Sequence, residues 1–356
     1  MRTIARVFCW LGAALGLSLA ILLGAFGVLQ TRVGQAWLAK TVAQTVSSPD
    51  FAVSVEGLHG IVPFHLTIDR IDIADRDGTY LTLRDFGLDI SAAALLAGRL
   101  EILSLSFAEL EMARSSTAPS TTPLTEYFKV PRLPVSVVLD RLSIGRLVLG
   151  PPVLGESLVA TVDGNGRVTG ETATVALHLH RTDGAAGSVE LAMELAGAPP
   201  ILRLRLEASE PTGVLADRLL GRTDRPPFAL SLKGTGPLAD WHGRVVAAAG
   251  TLAHFDADVT LAVATQIDLG LSGTVAIAPL LPAEITPLIG DQFALSLHAT
   301  LGDRIVVDPL SIGLAAGTVT GDAAVGGPDK AIVAHLRASC RLLRACSGAN
   351  SRARHR

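Results

Sequence analysis

The chain has 356 residues, a formal net charge of −3, and 49% hydrophobic but only 4% aromatic residues, a length that suggests about two domains. Six arginines and no acid fall in the last 26 residues, so the body before them is acidic and carries no nucleic-acid-binding footprint. Residues 30–330 contain no cysteine, which excludes a disulfide framework and leaves backbone pairing and aliphatic burial to hold the body together.

The first element is Val7 to Leu29, 23 residues without a charge, preceded by Arg2 and Arg6 and followed by Arg32. A helix of that length spans a hydrocarbon core of about 30 Å. It is too long for a typical signal h-region, although Ala25-Phe26-Gly27 would serve as a cleavage site. It is read as an uncleaved anchor. The basic start favours a cytoplasmic stub at 1–6 and a body on the far side of the membrane.

Within residues 30–50, Val33, Trp37, Leu38, Val42 and Val46 have helical spacing, and Ser47-Ser48-Pro49-Asp50 ends the pattern. A short amphipathic helix near the membrane surface is expected. From Phe51 the period becomes two, and residues 51–114 form a first β segment. Phe64, Leu66 and Ile68 alternate with polar residues. Ile71 and Ile73 then change parity, which requires a bulge or a corner near Asp69-Arg70. Asp77-Gly78 is a hairpin turn signal. Ser91 to Gly98 is a helical turn with Ser91 as cap and Gly98 as stop.

Residues 115–134 hold four prolines and a run of Ser and Thr, and are read as a loop or linker. Residues 135–330 return to short alternating strands, among them Val175-Leu177-Leu179, Leu202-Leu204-Leu206 and Ile267-Leu269-Leu271. Phe228-Ala229-Leu230-Ser231-Leu232 recurs as Phe293-Ala294-Leu295-Ser296-Leu297, in keeping with a repetitive, elongating β structure. Residues 331–356 lose the alternation. This basic tail is read as lying outside the fold, an aberrant or prematurely ended terminus, with anionic lipid as its alternative partner. The fold class is therefore mainly all-β: a single N-terminal transmembrane helix, then an elongated curled sheet that forms a groove.

No G-x-S-x-G elbow and no P-loop is present, and Gly234-x-Gly236 lacks the third glycine of a dinucleotide fingerprint. Asp75-x-Asp77-Gly78 fails as a calcium loop because Ile73 and Arg84 stand at ligand positions. His178 and His180 share one side of a strand, where a solvent-facing role is preferred to a metal site. Catalytic residues, cofactor-binding residues and metal ligands are therefore all given as none, no cofactor is expected, and the chain is not read as an enzyme.

Several stretches, in order, resemble the N-terminal part of the TamB family, the inner-membrane subunit of the translocation and assembly module within the AsmA-like group. They are Thr31-Arg32-x-Gly34, Val55-Glu56-Gly57-Leu58-x-Gly60, Ala74-Asp75-x-Asp77-Gly78, Leu88-Asp89-Ile90, and Leu95-Leu96-x-Gly98-Arg99-Leu100-x-Ile102. Further along come Leu133-Pro134-Val135, Leu139-Asp140-Arg141-Leu142, Glu210-Pro211-Thr212-Gly213 and Gly234-Thr235-Gly236-Pro237-Leu238-x-Asp240-Trp241. The resemblance covers roughly residues 5–330. It implies a single-pass inner-membrane protein with a periplasmic body and an outer-membrane barrel partner, TamA. It also implies roles in outer-membrane protein assembly and secretion and in phospholipid transport. Family chains are several times longer, and their barrel-contacting C-terminal domain has no counterpart here, so the chain resembles an N-terminal fragment. The physical expectation is a groove lined by Leu, Val and Ile that shelters phospholipid acyl chains. The alternatives are a β scaffold that templates client strands without conducting lipid, a sheet that closes on itself as an ordinary core, and a fragment without function.

Overall fold

A computed structural model describes residues 31, 34, 35, 37, 41, 47, 51–117, 135–184, 186–213, 226–302, 304–326 and 331–340. The expected anchor at 7–29, most of 30–50, residues 118–134 and residues 341–356 lie outside the described residues. Among those described, no helix is long and apolar enough to cross a membrane.

The protein is mainly β, with seventeen strands among the described residues. It divides into two compact units, Met1–Pro119 with Val137–Asp163 and Ser120–Ser136 with Gly164–Arg356.

The first unit contains β1 (Ala52–Ile61), β2 (His65–Asp75), β3 (Gly78–Ile90), β4 (Leu100–Met112) and β5 (Val137–Leu149). β1 to β4 pair antiparallel in sequence order. β4 and β5 pair parallel. A parallel neighbour requires a crossover of a dozen or more residues, and 24 residues separate the end of β4 at Met112 from the start of β5 at Val137. The turn expected at Asp77-Gly78 closes β2 onto β3, with Gly78 in the left-handed region at φ 103°. The expected helical turn is Ala92–Leu96, where Ser91 Oγ accepts from the Ala94 N–H at 3.2 Å. Before β1, Gly34, Gln35, Trp37 and Thr41 are helical. Gln35 Nε2 donates to the Gly60 carbonyl at 2.9 Å, and the Val53 N–H donates to Ser47 Oγ at 2.9 Å. Gln35 is thus held at the Gly60 end of β1 and Ser47 at its Val53 end.

β6 (Leu158–Thr169) crosses from one unit into the other. The second unit continues with β7 (Thr172–Arg181), β8 (Ser188–Ala196), β9 (Ile201–Glu210), β10 (Phe228–Pro237), β11 (Trp241–Ala249) and β12 (Ala253–Val263). It ends with β13 (Ile267–Ala276), β14 (Phe293–Leu301), β15 (Arg304–Gly313), β16 (Gly317–Gly326) and β17 (Ala331–Cys340). From β7 onward each strand pairs antiparallel with the next, giving a meander. One expectation is corrected here. Residues 331–340, placed outside the fold by their loss of alternation, form β17 and pair with β16 from Gly317↔Cys340 to Gly326↔Ala331. Backbone hydrogen bonding to a preceding strand does not need an apolar alternation, which is why the pattern missed it.

Candidate functional site

The two-residue period of a strand puts every second side chain on one face, and the registers decide whether those faces agree from strand to strand. In the first unit they agree in two transverse rows. One runs Val55–Ile71–Leu83–Leu110–Leu147, the other Leu58–Ile68–Phe86–Phe107–Ile144. Within each strand the two rows are three residues apart, not two. The parity change expected near Asp69-Arg70 is therefore present in β1 to β5 alike. Because every strand makes the same step, pairing keeps its register across it, with Val55↔Ile71 and Leu58↔Ile68 on either side. The step forms a crease. Two of its residues have left-handed backbone, Gly57 at φ 69° and Asp85 at φ 49°. Beside it, Phe86 and Phe107 meet at 5.4 Å between ring centroids, tilted by 59°.

On the other face the crease is charged. Glu109 receives Arg84 at 3.1 Å and Arg146 at 2.6 Å, tying β3, β4 and β5 together. Exposed pairs of this kind contribute little to stability; their effect is to mark this face as the wet one.

The second unit repeats the arrangement over eleven strands. One row runs Leu177–Leu191–Leu206–Leu232–Val245–Ala257 from β7 to β12, and continues through Gly273, Leu295, Ile312, Val319 and Ala338 to β17. Both copies of the repeated Phe-Ala-Leu-Ser-Leu motif begin strands, β10 and β14, and both put Phe, Leu and Leu on this face.

These faces are not covered like a core. Every residue of the two rows in the first unit is half-buried, and the buried side chains described there are small or polar: Ala94, Ala160, Thr82 and Gln35. Among the described residues, the large apolar side chains that are buried, Trp241, Ile267, Leu195, Leu202 and Leu238, all lie in the second unit. The densest packing lies in the second unit, where Leu195, Leu202, Leu238 and Trp241 form a cluster. Trp241 is 2% exposed, and its indole lies over Gly234 and Gly243, which face each other on β10 and β11. A Cβ on either glycine would overlap the ring. The stretch from Gly234 to Trp241 is therefore a packing device at one end of the apolar face. At the opposite ends of these strands the same face closes with charge. Arg181 and Glu210, 8% and 3% exposed, approach to 3.4 Å, with Asp183 at 2.8 Å from Arg181 and Thr212 donating to Glu210 at 2.6 Å. Sequence reasoning missed this cluster, because Arg181 and Glu210 are 29 residues apart and nothing local pairs them.

Asp89 accepts from Ser104 Oγ at 2.6 Å and contacts His65 Nδ1. The three residue types are those of a hydrolytic triad, but here the hydroxyl bonds the carboxylate and not the imidazole, so no base faces the serine. The hydrogen bonds from Ser104 and His65 hold the Asp89 carboxyl below its usual range. Asp75 is occupied by Arg114, which donates to its carboxylate at 2.8 Å and 2.5 Å where a calcium ligand would need a free oxygen. That contact, aided by the Thr117 and Asp77 N–H groups, drives the Asp75 carboxyl far below the ordinary carboxylate range. His178 and His180 are exposed on the polar face of β7. Among the described residues no group of three or more His, Cys, Asp or Glu could hold a metal ion.

A groove of about 910 Å³ opens on the polar face around β7 to β11. Its cations are all engaged: Arg203 with Glu194 at 2.9 Å, Arg205 and Lys233 with Glu207 at 3.1 and 2.7 Å, and Arg244 with Asp256 at 2.6 Å. It presents a neutral, self-satisfied surface. The apolar faces are what remains without an internal explanation. No family model, curated protein or solved structure matches the chain.

Proposed function

We propose that the protein is a single-pass inner-membrane component with a periplasmic β body, of the TamB kind, that shelters phospholipid acyl chains on an aliphatic sheet face. In this role it supports phospholipid transport between membranes and the assembly and secretion of outer-membrane proteins, with TamA as outer-membrane partner. It acts without catalysis or a cofactor. The observation that carries the reading is the agreement of aliphatic side chains in register, over β1 to β5 in one unit and β7 to β17 in the other, with most of the side chains in these rows only half-buried. A sheet with one apolar face must hide that face from water. An acyl chain laid on it gains about 0.8 kcal/mol per methylene transferred from water. Because successive rows are chemically alike, no position holds the chain in preference to the next, which suits movement better than storage. The uncharged run Val7–Leu29 supplies the anchor, and the ordered motifs supply the family.

A photo-crosslinker placed at Leu230, Leu232 or Leu295 in the full chain tests this. Phospholipid adducts are expected, with none from Lys233 on the opposite face. Adducts to polypeptide in place of lipid would support the scaffold reading instead. One feature favours that second reading: every residue described from Val333 to Cys340 on β17 is exposed, on both faces. A strand in that state can accept a further strand along its backbone.

A further inference from the structure

The apolar surface of the first unit is not confined to the sheet face. At the end of the unit that holds the β1–β2 hairpin tip, Ile61 is 56% exposed, Leu95 43%, Leu96 92% and Leu103 47%. The registers Ile61↔His65, His65↔Asp89 and Ile90↔Ile102 place these residues at one end of the sheet. From Ala92 to Gly98 the chain is Ala-Ala-Ala-Leu-Leu-Ala-Gly, and apart from Ala94 it is exposed throughout. A folded domain rarely displays leucines on a helical turn of this kind without a partner.

The same end receives the chain from its N-terminal side. Thr31 accepts the Gln35 N–H at 2.9 Å, and Gln35 in turn grips the Gly60 carbonyl, next to Ile61. Trp37, one helical step on, is 61% exposed. Leu29, where the uncharged run stops, is two residues before Thr31. Tryptophan beside an apolar span is the usual signature of a bilayer interface. The ionisable side chains at this end are Arg99, Glu101, His59, His65 and Asp89. The carboxylate of Asp89 is engaged by Ser104 and His65, and Arg99 is exposed on a long apolar stem that can reach a lipid phosphate.

We infer that this end of the first unit, led by Leu95, Leu96 and Ile61, seats in the headgroup and upper acyl region of the lipid bilayer. It sets the unit against the membrane instead of leaving it on a free tether, and delivers one end of the aliphatic face to the lipid surface. The inference rests on the reading of residues 7–29 as a membrane anchor. The test uses the full chain with Cys9, Cys340 and Cys346 replaced by Ser, carrying a polarity-sensitive fluorophore at Leu96→Cys or, at the other end of the same unit, at Thr79→Cys. The chain is reconstituted into vesicles of phosphatidylethanolamine and phosphatidylglycerol, and flotation with the vesicles reports the anchor independently. The expected result is flotation, with a blue shift and quenching by spin-labelled phospholipid at residue 96 and neither at residue 79. Flotation with a water-exposed probe at residue 96 would overturn the inference while leaving the anchor standing. Failure to float would overturn both.

Discussion

The indole N–H of Trp241 on β11 donates to the carbonyl oxygen of Leu202 on β9, 3.1 Å away and two strands across the sheet. To reach it the ring lies flat over Gly234 and Gly243 and covers the backbone of β10. The bond fixes three strands at the place where the second unit packs most densely, so this end of its aliphatic face is filled by the protein itself.

Gly243→Ala puts a Cβ into the indole and is expected to cost about 1–3 kcal/mol, the usual scale of overpacking. Chemical denaturation followed by tryptophan fluorescence measures it. Trp241→Phe, which keeps a ring but loses the donor, should leave the Leu202 carbonyl unpaired and cost about 1 kcal/mol.

The charged closure at Arg181 and Glu210 behaves differently. Removing one member of a buried pair strands the other, so Arg181→Met should destabilise by about 3–5 kcal/mol. Replacing both by methionine should lose less than Arg181→Met alone, because no buried Glu210 carboxylate is left without its guanidinium. A double-mutant cycle in urea reads the difference, and a double variant as unstable as the single one would contradict the pairing.

The crease gives a third contrast. Asp85 holds φ 49°, a conformation that costs a branched residue about 1–2 kcal/mol. Asp85→Val should be destabilising by that amount and Asp85→Gly close to neutral. Gly57→Ala meets the Asp69 side chain as well as the left-handed backbone, and should be the more damaging change. Thermal unfolding of the four proteins ranks them.

Asp75 provides a pH dependence of known sign. Arg114 and the surrounding donors depress its carboxyl, so the folded state binds a proton less readily there than the unfolded chain. Its stabilising effect is complete above about pH 5 and is lost progressively as pH falls below the ordinary aspartate value. Asp75→Asn should lower stability at neutral pH and flatten the acid limb of the profile. Urea denaturation at neutral pH and near pH 3 would show the gap between wild type and variant closing.

Much of the β character was legible because Leu, Val and Ile alternate in the strands that carry most of the face. Ser91, Gly98 and Asp77-Gly78 also announced their turns through local chemistry. The parity jump at Asp69-Arg70 signalled an irregularity, but only the registers reveal that β1 to β5 all step together. β11 and β16 escaped notice because Ala, Gly and Thr occupy positions where an aliphatic run would have spoken. The Arg181–Glu210 closure and the bond from Trp241 to Leu202 depend on residues brought together by pairing, which no local pattern encodes. The common orientation of the aliphatic rows was likewise set by register. Each strand shows its own alternation, but only its partners decide which side it shares with them.

The most direct measurement is the lipid content of the full chain purified in mild detergent, read by mass spectrometry of the extracted complex, for the wild type and for Leu232→Asp and Leu295→Asp. Phospholipid retained by the wild type and lost from both variants, with the strand signature in circular dichroism unchanged, is the expected result. A wild-type chain that carries no phospholipid, or variants that retain it in full, would contradict the assignment of the aliphatic face as an acyl-chain surface.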